Sequence, residues 1–80
     1  MNVAVVIPAC NEADTISGVL ADLQHELPDA FAVVVDNGST DGMAGLAAEA
    51  GATVLSEPRM GYGSACLRGI AWLATLSSPP

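Results

Sequence analysis

The stretch Val33-Val34-Val35-Asp36-Asn37-Gly38-Ser39-Thr40-Asp41-Gly42 decides the fold, because a β-branched run ends in an acid and a turn. A second stretch, Val3-Ala4-Val5-Val6-Ile7-Pro8-Ala9-Cys10-Asn11-Glu12, repeats this pattern near the start of the chain. Near-continuous apolar strands are typical of parallel sheets that are buried on both faces. Ligands of open α/β sheets bind beyond the carboxyl ends of the strands, so the two stretches predict one binding crevice.

Apolar spacing and turn residues predict three strand–helix units and therefore an α/β protein with a parallel sheet. Strands are predicted over residues 3–7, 31–36 and 53–56, and helices over about 13–26, 40–50 and 64–76. Asn11, with Asp14 as the acid at N3, and Ser39 are the predicted N-caps, and Gly51 is a predicted C′ residue. Pro8 is expected to end the first ladder. The predicted buried positions of the helices are Ile16, Val19, Leu20, Leu23, Leu27, Met43, Leu46, Ala47, Ala50, Ile70 and Trp72.

The composition is that of a folded, acidic domain. The chain has 80 residues, of which 51% are hydrophobic and 14% charged, and this excludes disorder. Its net charge is −7 and its only cations are Arg59 and Arg68, which argues against nucleic-acid and anionic-membrane partners. We expect a cytoplasmic protein, because no signal peptide is recognisable and the two cysteines suggest neither a disulfide framework nor a metal site.

Asp36 is the first candidate for a functional group, and two interpretations are open. An aspartate at a strand end commonly forms a turn or caps the following helix. The alternative is that its carboxylate accepts a hydrogen bond from a ligand in the crevice, such as the imide N–H of a base.

The segments around this acid also allow two interpretations each. Residues 37–42 are either a loop with capping residues or a backbone cradle for an anion or ribose. Asp41 is expected to be an acid of the first helical turn that complements the helix dipole. Residues 8–12 form either a strand exit with a solvated Glu12 or one wall of a nucleoside pocket.

The third crevice loop, Glu57-Pro58-Arg59-Met60-Gly61-Tyr62-Gly63, contains one of the two cations. Arg59 is either a diphosphate contact or a surface arginine paired with Glu57. The glycines do not form a dinucleotide fingerprint, since its third glycine would fall at Cys66, and the chain lacks a phosphate-binding P-loop.

Taken in order, Val5–Glu12, Val34–Gly42 and Glu57–Ala65 resemble the motifs of family 2 glycosyltransferases, especially the polyprenyl-phosphate sugar transferases such as dolichol-phosphate mannosyltransferase. The resemblance covers nearly the whole chain. It implies the Rossmann-like GT-A fold and inverting transfer of a sugar from a nucleoside diphosphate donor. Asn37 departs from the more usual second aspartate of the family's Asp-Asp-Gly-Ser motif.

The resemblance also implies a set of nucleotide-binding residues. Pro8, Ala9, Asn11 and Glu12 would line the nucleoside pocket, and Asp36 would accept from the base. Three residues of the third loop would lie near the nucleotide: Arg59, Gly61 and Gly63. The turn after the second strand would complete the set with Asn37, Gly38 and Ser39.

The family's Asp-x-Asp motif, which binds Mg²⁺ or Mn²⁺ on the diphosphate, would follow a fourth strand beside the first. We therefore expect residues 1–80 to be the N-terminal, nucleotide-binding part of an incomplete domain, inactive alone and without catalytic or metal-binding residues of its own. The open edge of the first strand would favour self-association. The alternative function is a non-catalytic nucleotide-binding or interaction module, and an oxidoreductase is disfavoured by the missing glycine fingerprint.

Overall fold

The apolar segments pair as a parallel sheet, as the sequence predicts. A computed structural model describes residues 3–76 of the chain. The sheet has the strand order β1-β2-β3, and its register aligns Ala9 with Asp36 and Asp36 with Ser56. The chain alternates strands and helices in the order β1 (Val3–Ala9), α1 (Ile16–Glu26), β2 (Ala30–Asp36), α2 (Met43–Glu49), β3 (Thr53–Ser56) and α3 (Tyr62–Ala74).

The central strand β2 organises the core on both faces of the sheet. Val33, Val34 and Val35 are all fully buried, and burying such a side chain stabilises the fold by about 1.5–3 kcal/mol. Because side chains alternate along a strand, Val34 faces α1 and α2, whereas its two neighbours face α3. Helices on both faces of a parallel sheet confirm the predicted α/β class.

Two helices begin later than the sequence predicts. The N-cap residues are Thr15 for α1 and Gly42 for α2, so the predictions of Asn11 and Ser39 as N-caps were wrong. Asp41 likewise lies before the first turn of α2 and not within it. Gly51, at φ +95°, follows the C-cap residue Ala50 of α2 and confirms the predicted C′ position.

Strand β1 continues through Pro8 to Ala9, so the prediction that Pro8 ends the ladder was wrong. Within residues 3–76, β1 pairs only with β2. Proline is tolerated on an edge strand because its missing N–H need not serve a ladder. The expected open edge of the sheet is therefore present in this part of the chain.

The buried apolar faces of the helices were predicted only in part. The predicted burial agrees with the structure at six positions. Four of these side chains are buried and two are partly buried: Ile16, Leu20, Met43 and Ala47, and Leu23 and Trp72. Helix α3 begins at Tyr62 and presents a different face from the one expected, with Ile70 58% exposed. None of the helices within residues 3–76 has the length and apolarity needed to span a bilayer. The other positions expected in the core but found exposed are Val19, Leu27, Leu46 and Ala50.

Candidate functional site

Three loops meet at the carboxyl edge of the sheet, because all three strands are parallel and end in one row. We call them loop one (residues 10–15), loop two (residues 37–42) and loop three (residues 57–61). This is the position at which open α/β sheets bind ligands. The three loops that the sequence singled out therefore lie together at one edge of the sheet.

Loops one and two are joined by hydrogen bonds between side chains and main chain. The N–H of Asn11 donates to Ser39 Oγ over 2.8 Å, and Asn11 Oδ1 accepts from the N–H of Thr40 over 2.8 Å. Asp41 Oδ2 accepts from the N–H of Ala13 over 2.9 Å. Asn11 adopts φ +54°, a left-handed conformation that asparagine tolerates better than most residues. These contacts between the loops hold in place the segments from which α1 and α2 begin.

Asp41 also serves the start of α2 directly. Its Oδ1 accepts from the N–H of Met43 over 3.1 Å, which satisfies a free donor at the helix start. The carboxylate therefore bridges loop one and α2. In loop one, the Glu12 carboxylate accepts from Thr15 Oγ1 over 2.9 Å, and Glu12 is exposed.

Asp36 lies at the carboxyl end of the central strand and is half-buried. Its Oδ1 accepts from the N–H of Ser39 over 2.9 Å, which confirms the turn-forming interpretation. Its Oδ2 has no hydrogen-bond partner among the described side chains and main-chain groups of residues 3–76. One carboxylate can therefore hold the turn with one oxygen and offer the other to a ligand, so the two interpretations are compatible.

Loop three is fixed to loop two by Asn37, which is only 7% exposed. Its Nδ2 donates to the carbonyls of Glu57 and Arg59 over 2.8 and 2.7 Å. Its Oδ1 accepts from the N–H of Gly61 over 3.1 Å. The side chain is thus bonded to the protein at both its nitrogen and its oxygen.

Glu57 and Arg59 form the ion pair that the sequence offered as one alternative. The N–H of Arg59 donates to Glu57 Oε2 over 2.8 Å, and its Nε lies 3.4 Å from the same oxygen. The main-chain bond, followed by the guanidinium, lowers the pKa of Glu57 below its ordinary 4.5, although burial opposes this. The interaction therefore stabilises the folded loop above pH 4.5 and is lost as the pH falls through the lowered folded pKa. The Arg59 side chain remains 78% exposed and able to reach a ligand.

Gly61 occupies the N-cap position of α3 at φ +117° and ψ +146°. This region of backbone conformation is essentially restricted to glycine. Gly63 follows in the first turn of α3, where it is exposed and has open space around it. Gly38 stands at φ +87° in loop two, near the Met60 side chain.

A shallow depression of about 190 Å³ lies at the carboxyl edge, between the end of β1, Asn37 and the start of α3. It brings together three predicted site residues, Pro8, Ala9 and Asn37, with Cys10 and Tyr62. Tyr62 is 74% exposed and was missed from the sequence, although its place between Gly61 and Gly63 in a crevice loop was a usable signal. Another depression, of about 170 Å³, lies at the opposite end of the sheet near Ala30 and Ala52, away from the loops.

The described residues do not fit a resident metal ion. Residues 3–76 contain no cluster of three or more histidine, cysteine, aspartate or glutamate side chains that could hold one. The chemistry available at this edge is hydrogen bonding by carboxylate, hydroxyl and main-chain groups, together with one exposed guanidinium.

The parallel α/β sheet of this chain, with three loops at its carboxyl edge, is similar to that of GT-A glycosyltransferases. Residues 4–75 match the model of the family described as Glycosyl transferase family 2. The chain therefore belongs to glycosyl transferase family 2.

Curated relatives agree with this assignment. Protein RfbJ of Shigella flexneri is 45% identical over 67 residues, which are 84% of this chain and 52% of the relative. An uncharacterized glycosyltransferase of Mycobacterium tuberculosis is 48% identical over 69 residues, 85% of this chain and 30% of the relative. The chain thus spans about half the length of one relative and less than a third of the other.

Among solved structures, the chain is similar to glucosyl-3-phosphoglycerate synthase of Mycobacterium tuberculosis. The TM-score is 0.76 at 33% identity, over 89% of this chain and 29% of the synthase. That enzyme was crystallised with Mn²⁺, UDP-glucose and glycerol 3-phosphate, and separately with UDP. The expected GT-A fold is confirmed, whereas a special relationship to polyprenyl-phosphate sugar transferases is not shown.

Proposed function

We propose that this chain forms the nucleotide-binding part of an inverting glycosyltransferase that uses a nucleoside diphosphate sugar. The observation that carries the proposal is the half-buried Asp36, which has an oxygen free of partners within residues 3–76 at the meeting point of three loops. A structural relative that binds UDP-glucose supports the donor class.

Each group would have a distinct role in donor binding. Asp36 Oδ2 would accept from the base N–H, and Arg59 would approach the diphosphate from loop three. Charge-assisted contacts of this kind are shorter and stronger than neutral hydrogen bonds. The main-chain and side-chain groups around the nucleoside and phosphates would come from Pro8, Ala9, Asn11, Glu12, Gly38, Ser39, Gly61 and Gly63.

The remaining parts of the reaction are proposed on the resemblance alone. We propose polyprenyl phosphate as the acceptor, and Mg²⁺ or Mn²⁺ as the ion of the whole enzyme. Residues 3–76 offer no cluster to hold that ion, so its ligands would have to come from elsewhere. A cytoplasmic location, on the membrane face where such an acceptor is presented, belongs to the same proposal.

The donor class can be tested by titrating the chain with UDP, GDP, ADP and CDP in a calorimeter, without metal. We expect saturable binding of at least one diphosphate, with the preferred base identifying the donor. If none of the four binds, the proposed function is wrong. In a parallel assay with the matching nucleotide sugar and Mg²⁺ or Mn²⁺, we expect turnover at background, since a metal site is lacking in residues 3–76. Turnover above background would contradict the proposal that this part is inactive alone.

Strand β1 supports a further proposal, which concerns self-association. Within the described residues its outer edge has no neighbouring strand, and Val3 on this edge is 43% exposed. Unpaired main-chain groups on a flat apolar edge favour pairing with another chain. We expect sedimentation velocity to show dimers or larger species whose fraction rises with concentration, and a single monomeric species throughout would contradict this.

A further inference from the structure

We propose that Asn37 is a positioning residue, whose buried amide holds loop three in place and thereby sets the affinity for the diphosphate end of the nucleotide. This inference rests on the proposed function. It replaces the expectation that Asn37 contacts the nucleotide directly.

The geometry leaves the Asn37 side chain little to offer a ligand. Both amide protons are taken by the carbonyls of Glu57 and Arg59, and Oδ1 accepts from the N–H of Gly61. The main-chain N–H of Asn37 is also used, since it donates to the carbonyl of Ala9 in β1 over 2.9 Å. Only 7% of the residue is exposed.

These contacts fix the orientation of the amide. If it were flipped, Oδ1 would lie against two carbonyl oxygens and Nδ2 against the N–H of Gly61, which are repulsive arrangements. A carboxylate is similarly excluded, because it accepts hydrogen bonds and cannot donate to the two carbonyls. The contacts present at this position therefore fit asparagine and do not fit aspartate.

Loop three has few other attachments to the crevice. The N–H of Glu57 donates to the carbonyl of Asp36 over 2.9 Å, where β3 ends, and the Glu57 carboxylate binds Arg59 within the loop itself. Among the described side chains of loop two, only that of Asn37 forms several hydrogen bonds with loop three. Because Asn37 follows Asp36 directly, it links the base end of the proposed site to the loop that bears Arg59.

Two variants and one control test the positioning role. Asn37→Ala removes all side-chain hydrogen bonds to loop three, and Asn37→Asp removes only the amide N–H donors. Asn11→Asp is the matched control, since it makes the same change in a neighbouring loop, where the side chain acts as an acceptor toward Thr40. We expect amide exchange at Gly61 to accelerate about tenfold or more in both Asn37 variants and to stay at the wild-type rate in Asn11→Asp.

Binding of the diphosphate that titration selects among UDP, GDP, ADP and CDP, and of its nucleoside, separates positioning from general destabilisation. UDP and uridine are this pair if uracil is preferred, and the matching pair takes their place if another base is preferred. We expect both Asn37 variants to lose about tenfold in UDP affinity, because loop three must then be ordered on binding, and to keep wild-type affinity for uridine. Equal losses for uridine and UDP would overturn the positioning role. Unchanged Gly61 exchange in Asn37→Ala would overturn it as well. A wild-type chain that binds none of the four diphosphates would instead overturn the proposed function, and Gly61 exchange would then decide separately whether Asn37 holds the loop.

Discussion

Gly69→Ala is expected to lower the free energy of unfolding by about 2 kcal/mol, from overpacking that exceeds the gain in helix propensity. A Cβ at this position of α3 would lie 2.5 Å from Val6 Cγ1 and 3.3 Å from Val6 Cγ2. Val35 Cγ2 of the central strand would be 3.3 Å away. Because the β-branched side chain of Val6 is stiff at χ1, we expect the contact to be relieved mainly by movement of α3 away from the sheet. In a domain of this size such a loss lowers Tm by roughly 8–16 °C.

Gly18→Ala is the matched control, because Gly18 also lies inside a helix but has no atom within 4 Å of the added Cβ. We expect it to raise the free energy of unfolding by about 0.5–1 kcal/mol, since alanine restricts the unfolded chain and favours the helix. Urea denaturation followed by circular dichroism measures both variants. If Gly69→Ala were as stabilising as Gly18→Ala, the close packing of α3 on β1 would be wrong.

Asp36→Asn is expected to reduce affinity for the bound nucleoside diphosphate by about 10- to 100-fold, or 1–3 kcal/mol, because a donor would face the donor of the base. The free energy of unfolding should change little, since the asparagine Oδ1 can still accept from the N–H of Ser39. Calorimetric titration with the preferred diphosphate and urea denaturation measure the two effects separately.

Asp36→Ala distinguishes the two roles of this carboxylate. It removes the turn acceptor as well as the ligand acceptor, so we expect it to lose both affinity and stability. If Asp36→Asn bound the nucleotide as well as the wild-type chain did, turn formation would be the whole function of Asp36.

The strands, and the edge of the sheet at which the three loops meet, were predictable because their signals are local. The run of valines in β2 is apolar and β-branched throughout, as a strand buried on both faces requires. Parallel strands then bring their carboxyl ends to one edge, so the sequence placed Asp36, Asn37 and Arg59 in neighbouring loops without any structure.

The starts of the helices were not predictable, because they depend on partners far away in sequence. Asn11 and Ser39 carry ordinary capping side chains, but they bind each other's loops across 28 residues. The role of Asn37 was hidden for the same reason, since its partners lie 20 to 24 residues downstream. The exposure of Ile70 was missed because α3 has apolar residues around much of its circumference, and periodicity then does not single out the packed face.

The most direct test of the account is a crystal structure of this chain with UDP, or with whichever diphosphate binds most tightly. We predict the nucleotide at the carboxyl edge of the sheet, with Asp36 Oδ2 about 3 Å from a donor N–H of the base. A base bound elsewhere, or an Asp36 carboxylate directed away from it, would contradict the account.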